Sequence, residues 1–342
     1  MILYAVVGWK RLSSASSTTR KADVGLLPGR PQIVCADARR FGSLSHCSTR
    51  RIFGCSAEQG STSDEGARAN VSPTPAHLGI RLKGGLHHHY VQVGSSGPPI
   101  VFLHGFLDSW WSFQATFERL ERRFQLFAYD QRGHGDSEPA TDYAISDFAD
   151  DAVDFIERVV GSPAHLIGHS LGSIVAQRVA AARPDLVTKL VLIGGAATAA
   201  DHPGLRDLQA SLAEFTDVVP DEFVEAFQRS TVFAPISEDA IGAYIAESAK
   251  VGIAAWRGAL GGLVDEPATS GAGSIAVPTL ILWGEKDGVF DRDAQRALAG
   301  NLPDNLAINY PQVGHAPQWE IPDRVAGDIE KFLLASPTKA VS

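Results

Sequence analysis

The chain has 342 residues, 44% of them apolar and 20% charged, with 30 Lys and Arg against 39 Asp and Glu for a formal net charge of -9. Those values exclude a wholly disordered, collagen-like or disulfide-framework chain, and no apolar run reaches the roughly 18 residues of a membrane span. The acidic balance argues against nucleic acid as the main partner, because binding phosphates needs a basic surface.

The charge is unevenly spread. Residues 1–60 carry nine Lys and Arg against three Asp and Glu, a net of +6, which leaves -15 for the rest. All three cysteines (Cys35, Cys47, Cys55) lie in this part, irregularly spaced and without a CxxC pair, which argues against zinc. The rest of the chain must fold without a disulfide or a cysteine-bound metal. Residues 1–75 show no helical or strand period. Residues 1–9 are apolar, but Lys10 and Arg11 follow them, the reverse of the order in a secretory signal. The stretch reads as an over-called or disordered leader and the chain as cytoplasmic. Its Arg-rich, Ser-rich, acid-poor composition also suits a transit peptide, which would mean organelle import. Asn70-Val71-Ser72 fits the glycosylation acceptor pattern, which matters only in a secreted chain.

From residue 76 short β-rich runs alternate with longer helical patterns. Strands are expected at 79–83, 86–93, 100–103, 124–129, 164–168, 190–194, 279–283 and 306–310, the first two as a hairpin around Gly84-Gly85. The later runs are almost uninterruptedly apolar, as parallel strands buried on both faces must be. Helices are expected near 110–122, 146–160, 171–183, 291–299 and 322–335. Such alternation implies a parallel sheet covered on both sides. Between Gly194 and Pro278 it breaks. Four helical segments near 205–214, 220–229, 237–250 and 253–263 stand there, punctuated by Pro203, Pro220, Pro235 and Pro267. An all-helical insertion between two core strands is a natural cap over a site at the strand ends.

Gly168-His169-Ser170-Leu171-Gly172 fits G-x-S-x-G, between an apolar strand and a helical run. That context is what the motif requires: a turn tight enough to need glycines, with the serine hydroxyl projecting from it. A serine hydroxyl is a weak nucleophile and needs an adjacent base. Asp287 lies at the end of strand 279–283, with Glu285 a weaker alternative, and His315 lies just past strand 306–310. The order Ser, Asp, His follows, with His315 as base and Asp287 holding its tautomer. The developing oxyanion needs donors: the N–H of Leu171, after the nucleophile, and that of Phe106, in His104-Gly105-Phe106 after strand 100–103.

Other polar and aromatic residues read more plainly. His104 and His134 are expected to be structural, and Asp130 and Arg132 to form an ion pair that holds their loop. His87-His88-His89 should not converge on a metal, because neighbouring side chains in a strand face opposite ways. Asp150, Asp151 and Asp154 are expected on a solvated helix face. Trp110, Trp111, Trp256 and Phe290 are candidates for the substrate pocket, and Trp319 for the core.

These elements resemble the α/β-hydrolase superfamily, over residues 78–337, through HGF (104–106), YDQRGHGDS (129–137), GHSLG (168–172), ILWGEKD (281–287) and VGHAPQWE (313–320). The resemblance implies a mostly parallel eight-stranded sheet with helices on both faces. It also implies a nucleophile after strand five, an acid after strand seven and a histidine after strand eight. A helical cap is inserted after strand six, here 195–275, leaving 76–194 and 276–337 as the core. The branch it looks most like contains carboxylesterases, lactonases and cofactor-free haloperoxidases with a serine nucleophile. Ser170 sets it apart from epoxide hydrolases and haloalkane dehalogenases, which use Asp. Phe106-Leu107-Asp108 departs from the Gly-Pro-Gly-like element of C–C hydrolases, and an HGGG loop is absent.

The expected function is hydrolysis of a small, hydrophobic carboxylic ester or lactone through an acyl-enzyme, with no cofactor and no metal. The same groups could carry out perhydrolysis or acyl transfer. A binding protein on a hydrolase scaffold, or an interaction protein worked by its basic leader, are the readings from other classes.

Overall fold

A computed structural model describes residues 74–267 and 275–336. The leader lies outside the described residues except for Thr74 and Pro75, as do the three cysteines and Asn70. Eight strands form one sheet: β1 (Ala76–Arg81), β2 (His87–Val93), β3 (Pro99–Leu103), β4 (Gln125–Tyr129), β5 (Ala164–His169), β6 (Val187–Ile193), β7 (Thr279–Gly284) and β8 (Asn305–Tyr310). Their order is β1-β2-β4-β3-β5-β6-β7-β8. β1, β2 and β4 pair antiparallel, and every pairing from β4 to β8 is parallel. All eight expected strands are present, displaced by a few residues at most.

The side-chain period of two explains why the central strands are apolar throughout. On β3, Ile100 and Phe102 join one hydrophobic cluster while Val101 and Leu103 join the other, and all four are at most 1% exposed. Helices α1 (Gln114–Leu120) and α10 (Pro322–Leu334) cover the first face, through Phe117, Leu120, Val325, Ile329 and Leu333. Helices α2 (Ile145–Phe155) and α3 (Leu171–Ala182) cover the second, where Ile174, Val175 and Val179 pack on the sheet. The expected helix 146–160 is α2 continued by a π-type turn at Ile156–Val160, ended by left-handed Gly161.

Four helices stand between β6 and β7: α4 (Pro203–Leu212), α5 (Asp221–Thr231), α6 (Glu238–Ala249) and α7 (Ile253–Asp265). α7 buries Trp256, Ala259, Leu260, Leu263 and Val264, the i, i+3, i+4, i+7, i+8 stripe of a helix packed on one side. Those residues, with Leu208 and Phe223, belong to the cluster that covers the second sheet face. The insertion therefore shares the core of the sheet. α8 (Arg292–Gly300) and α9 (Pro317–Glu320) are the remaining α-helices of the described residues. Among the described residues no helix is long and apolar enough to cross a membrane.

Buried histidines give the fold an acid limit. Burial, with the His104 ring behind it, pushes the His134 imidazole down to about 4. Burial, aided by Lys189, does the same to His165, also to about 4. An unfolded imidazole titrates near 6.5, so between those values the unfolded chain binds more protons than the folded one. Stability is full above about pH 6.5 and falls as the pH drops toward 4, by about 3 kcal/mol for His134 alone. His104 and His88, also lowered by burial, act in the same sense. For His89 burial is the largest single effect, but the hydrogen bond to Asp130 and the charges of Asp130 and Asp136 together exceed it, so it is raised and offsets them in part. The midpoint of urea unfolding should fall clearly between pH 7 and pH 5.

Candidate active site

Ser170 stands between β5 and α3 with φ 50° and ψ -114°, a left-handed conformation rare for a side chain with a Cβ. The turn is tight because the strand end and the helix start touch. A Cβ on Gly168 would strike the carbonyl of Gly172, and one on Gly172 would strike that of Leu103. The two glycines of the motif are thus required by contact. The Ser170 N–H donates to Ile193 O at 3.0 Å, anchoring the turn on β6.

His315, in the loop after β8, lies with Nε2 2.9 Å from Ser170 Oγ. Its Nδ1 lies 2.9 Å from Asp287 Oδ2. The other oxygen of Asp287 accepts the N–H groups of Val289 (2.7 Å) and Phe290 (3.0 Å). A carboxylate so held accepts from His315 Nδ1–H, which leaves the Nε2 lone pair facing the serine hydroxyl. The His315 backbone is pinned on both sides: its N–H donates to Thr231 O at 2.9 Å, and its carbonyl accepts from His169 Nε2 at 3.1 Å. Glu320 accepts the Gly314 N–H and reaches over to the N–H groups of Phe233 and Ala234. Burial raises the Glu320 carboxyl against those hydrogen bonds. Glu285 is exposed and paired with Arg292, away from His315.

The loop after β3 runs past the serine. Leu171 is the first residue of α3, so its N–H has no acceptor within the helix. Phe106 lines the same cavity as Ser170. His104 is wholly buried; its Nδ1 donates to Gly105 O at 2.8 Å and its Nε2 accepts from the Gln131 N–H at 2.9 Å. Both ring nitrogens are used for holding the loop, as expected of a structural histidine. Leu107, next along, also has positive φ, at 68°.

The cavity at Ser170 has a volume of about 30 Å3, room for only a few waters. Its apolar wall includes Phe106, Leu205, Phe227, Leu263, Phe290 and Trp319. Of the four aromatic candidates only Phe290 lines it. Trp110 packs in the opposite sheet cluster, and Trp111 lines a separate surface groove with Phe117 and Tyr244. Trp256 is wholly buried behind the wall, edge-on to Phe106 and Phe227 at 5.6 and 5.7 Å. Trp319, expected in the core, is both buried and part of the lining. Four polar members were not singled out from the sequence: Asp108, His169, Gln228 and Thr231. His169 stands inside the G-x-S-x-G motif and Asp108 two residues beyond Phe106, which is the signal that could have marked them.

The remaining polar expectations need correcting in part. Arg132 pairs with Asp151 at 2.8 Å and not with Asp130. Asp151 and Asp154 are each 4% exposed: Asp154 is held by Lys83 and Arg158, and only Asp150 of the three faces solvent. Asp130 is a buried brace, accepting from Trp110 N–H (2.7 Å), Asp136 N–H (3.0 Å) and His89 Nδ1 (2.8 Å). His88 is wholly buried with Nδ1 3.1 Å from Asp130 O, while half-buried His89 bonds the Asp130 side chain. Among the described residues, His89, Asp130 and Asp136 do place candidate ligand atoms within 4.8 Å of one another. The Asp130 carboxylate of this group accepts the three hydrogen bonds just given.

A mostly parallel sheet with its polar row beyond the carboxyl ends of β3, β5, β7 and β8 is the architecture of an α/β hydrolase enzyme. Residues 98–322 match the alpha/beta hydrolase fold family, and the chain belongs to it. The chain is 31% identical over 236 residues to pimeloyl-[acyl-carrier protein] methyl ester esterase of Chromobacterium violaceum, covering 67% of this chain and 91% of that one. It is 41% identical over 104 residues to 2-(acetamidomethylene)succinate hydrolase of Mesorhizobium japonicum, covering 30% of this chain and 37% of that one. Among solved structures it superposes on an esterase from Exiguobacterium antarcticum with a TM-score of 0.70, 20% identity and coverage of 76% and 100%, a likeness of fold.

Proposed function

We propose that the chain is a serine hydrolase of small, hydrophobic carboxylic esters or lactones. The observation that carries this is the unbroken row from Ser170 Oγ through His315 to Asp287, both contacts at 2.9 Å. His315 takes the hydroxyl proton as Ser170 Oγ attacks the carbonyl carbon, and Asp287 stabilises the imidazolium. The N–H groups of Phe106 and Leu171 receive the oxyanion. His315 then passes its proton to the leaving alcohol, and water, deprotonated in turn by His315, releases the acid. The apolar wall favours a hydrophobic acyl or alcohol group. The helices α4–α7 act as a cap. With a cavity of about 30 Å3, this cap or its side chains must shift to admit a substrate.

The ester names of two relatives of the fold, the methyl ester esterase and the Exiguobacterium esterase, support this choice of bond. A fluorophosphonate probe should label Ser170 stoichiometrically, and esters of graded acyl length should be hydrolysed with a preference for short chains. An unlabelled Ser170 in folded protein would return the chain to the class of binding proteins. Rates with added peroxide or a second alcohol separate hydrolysis from perhydrolysis and acyl transfer.

A further inference from the structure

The cavity at Ser170 holds a carboxylate that the reaction does not use. Asp108 is 5% exposed, lies two residues past Phe106 and lines the cavity together with Ser170 and His315. Its partners are distant: the Gln228 amide donates to Oδ1 at 3.3 Å and the Ser112 hydroxyl to Oδ2 at 3.3 Å. Asp130, also buried, receives bonds of 2.7, 2.8 and 3.0 Å. His169 Nδ1 faces Asp108 Oδ2 at 3.4 Å and has no hydrogen-bond partner of its own. A Cβ on Gly105 would come within 2.7 Å of His169 Nδ1 and 3.0 Å of Asp108 Oδ2, so the glycine is what lets this pair approach the loop. Among the described residues no lysine or arginine lines the cavity.

We propose that Asp108 is a charge filter: it makes the site select neutral esters and reject those that carry a carboxylate near the scissile bond. The proposal rests on the esterase reading and names the substrate class of that site. A carboxylate in a water-poor cavity, short of strong donors, keeps capacity to accept a bond from substrate. It also repels a second carboxylate more strongly there than in water. Among the described residues no lysine or arginine stands in the wall to offset it.

The test uses two matched pairs of esters. One is p-nitrophenyl butyrate against p-nitrophenyl hemisuccinate, with the charge on the acyl side. The other is phenyl butyrate against the butyrate ester of 4-hydroxybenzoate, with the charge on the alcohol side. For the unaltered chain, kcat/KM should favour the neutral member by about 100-fold or more in at least one pair. Asp108→Asn, which keeps the shape, should shrink that ratio at least tenfold, mainly through KM of the anionic member. Anionic esters cleaved as well as neutral ones by the unaltered chain would overturn the proposal, and that measurement needs no variant. A ratio untouched by Asp108→Asn in folded protein would overturn it as well. Either result leaves the esterase reading standing as long as phenyl butyrate is cleaved and Ser170 is labelled. If no ester is cleaved and Ser170 stays unlabelled, that reading fails and the filter fails with it.

Discussion

Ser170→Ala should lower kcat by roughly 100,000-fold or more, with KM within a few-fold of the unaltered chain. The size follows from what is removed. Without Oγ no acyl-enzyme forms, and His315 has no proton to take. What remains is rate from the proposed Phe106 and Leu171 donors and from binding, on the order of a thousandfold over water in comparable enzymes. Stability should hardly move, because Ala keeps the Cβ and the strained φ of 50°. Ser170→Gly differs. It loses the hydroxyl too, but glycine accepts the left-handed conformation, so the variant should be more stable than the unaltered chain by about 1 kcal/mol. An inactive but stabilised glycine variant would show that the turn stores strain where its nucleophile stands. Steady-state kinetics on a p-nitrophenyl ester and urea unfolding of both variants read the two effects separately. Near-normal turnover by folded Ser170→Ala would place the nucleophile elsewhere.

The parts legible in the sequence are those whose cause is local. β5 and β7 are mostly apolar because every position in both is buried, and that shows without knowing the partners. Gly168 and Gly172 reveal the turn because no other residue fits it. Asp287 and His315 stand out in the sequence because each follows its strand end closely, and the structure brings both to Ser170. The pairings that went wrong depend on partners far along the chain. Asp151 and Asp154 look like a solvated helix face until Arg132, 19 residues before Asp151, and Lys83, 71 before Asp154, cover them. The pocket failed for the same reason. Its wall is set by how α4, α5 and α7 bring their residues to the cavity at Ser170, so Trp256 falls behind Phe106 while Leu205 and Leu263 reach the front. Composition marked the insertion as aromatic and apolar, but not which rings face the serine.

Asp287→Asn should lower kcat by about 10,000-fold at neutral pH while KM and stability change little. The size comes from the wrong tautomer and not from a lost charge alone. Asp287 Oδ1 is fixed by the N–H groups of Val289 and Phe290, at 2.7 and 3.0 Å. An asparagine there must keep its oxygen on those two donors, since its NH2 cannot accept from them. The NH2 then faces His315 Nδ1, which has to become the acceptor. The ring proton moves to Nε2, opposite Ser170 Oγ, and the base is gone while the geometry stays. Glu285→Gln is the matching control. Glu285 is exposed and bound to Arg292 at 3.1 Å, so that change should leave kcat within a few-fold. A mild Asp287→Asn beside a severe Glu285→Gln would reverse the assignment of the acid. Both mild would mean that the His315 tautomer is held by something other than either carboxylate. Fluorophosphonate labelling rates add a check that does not depend on the substrate. The label also needs an activated Ser170, so Asp287→Asn should slow labelling along with turnover, and Glu285→Gln should slow neither.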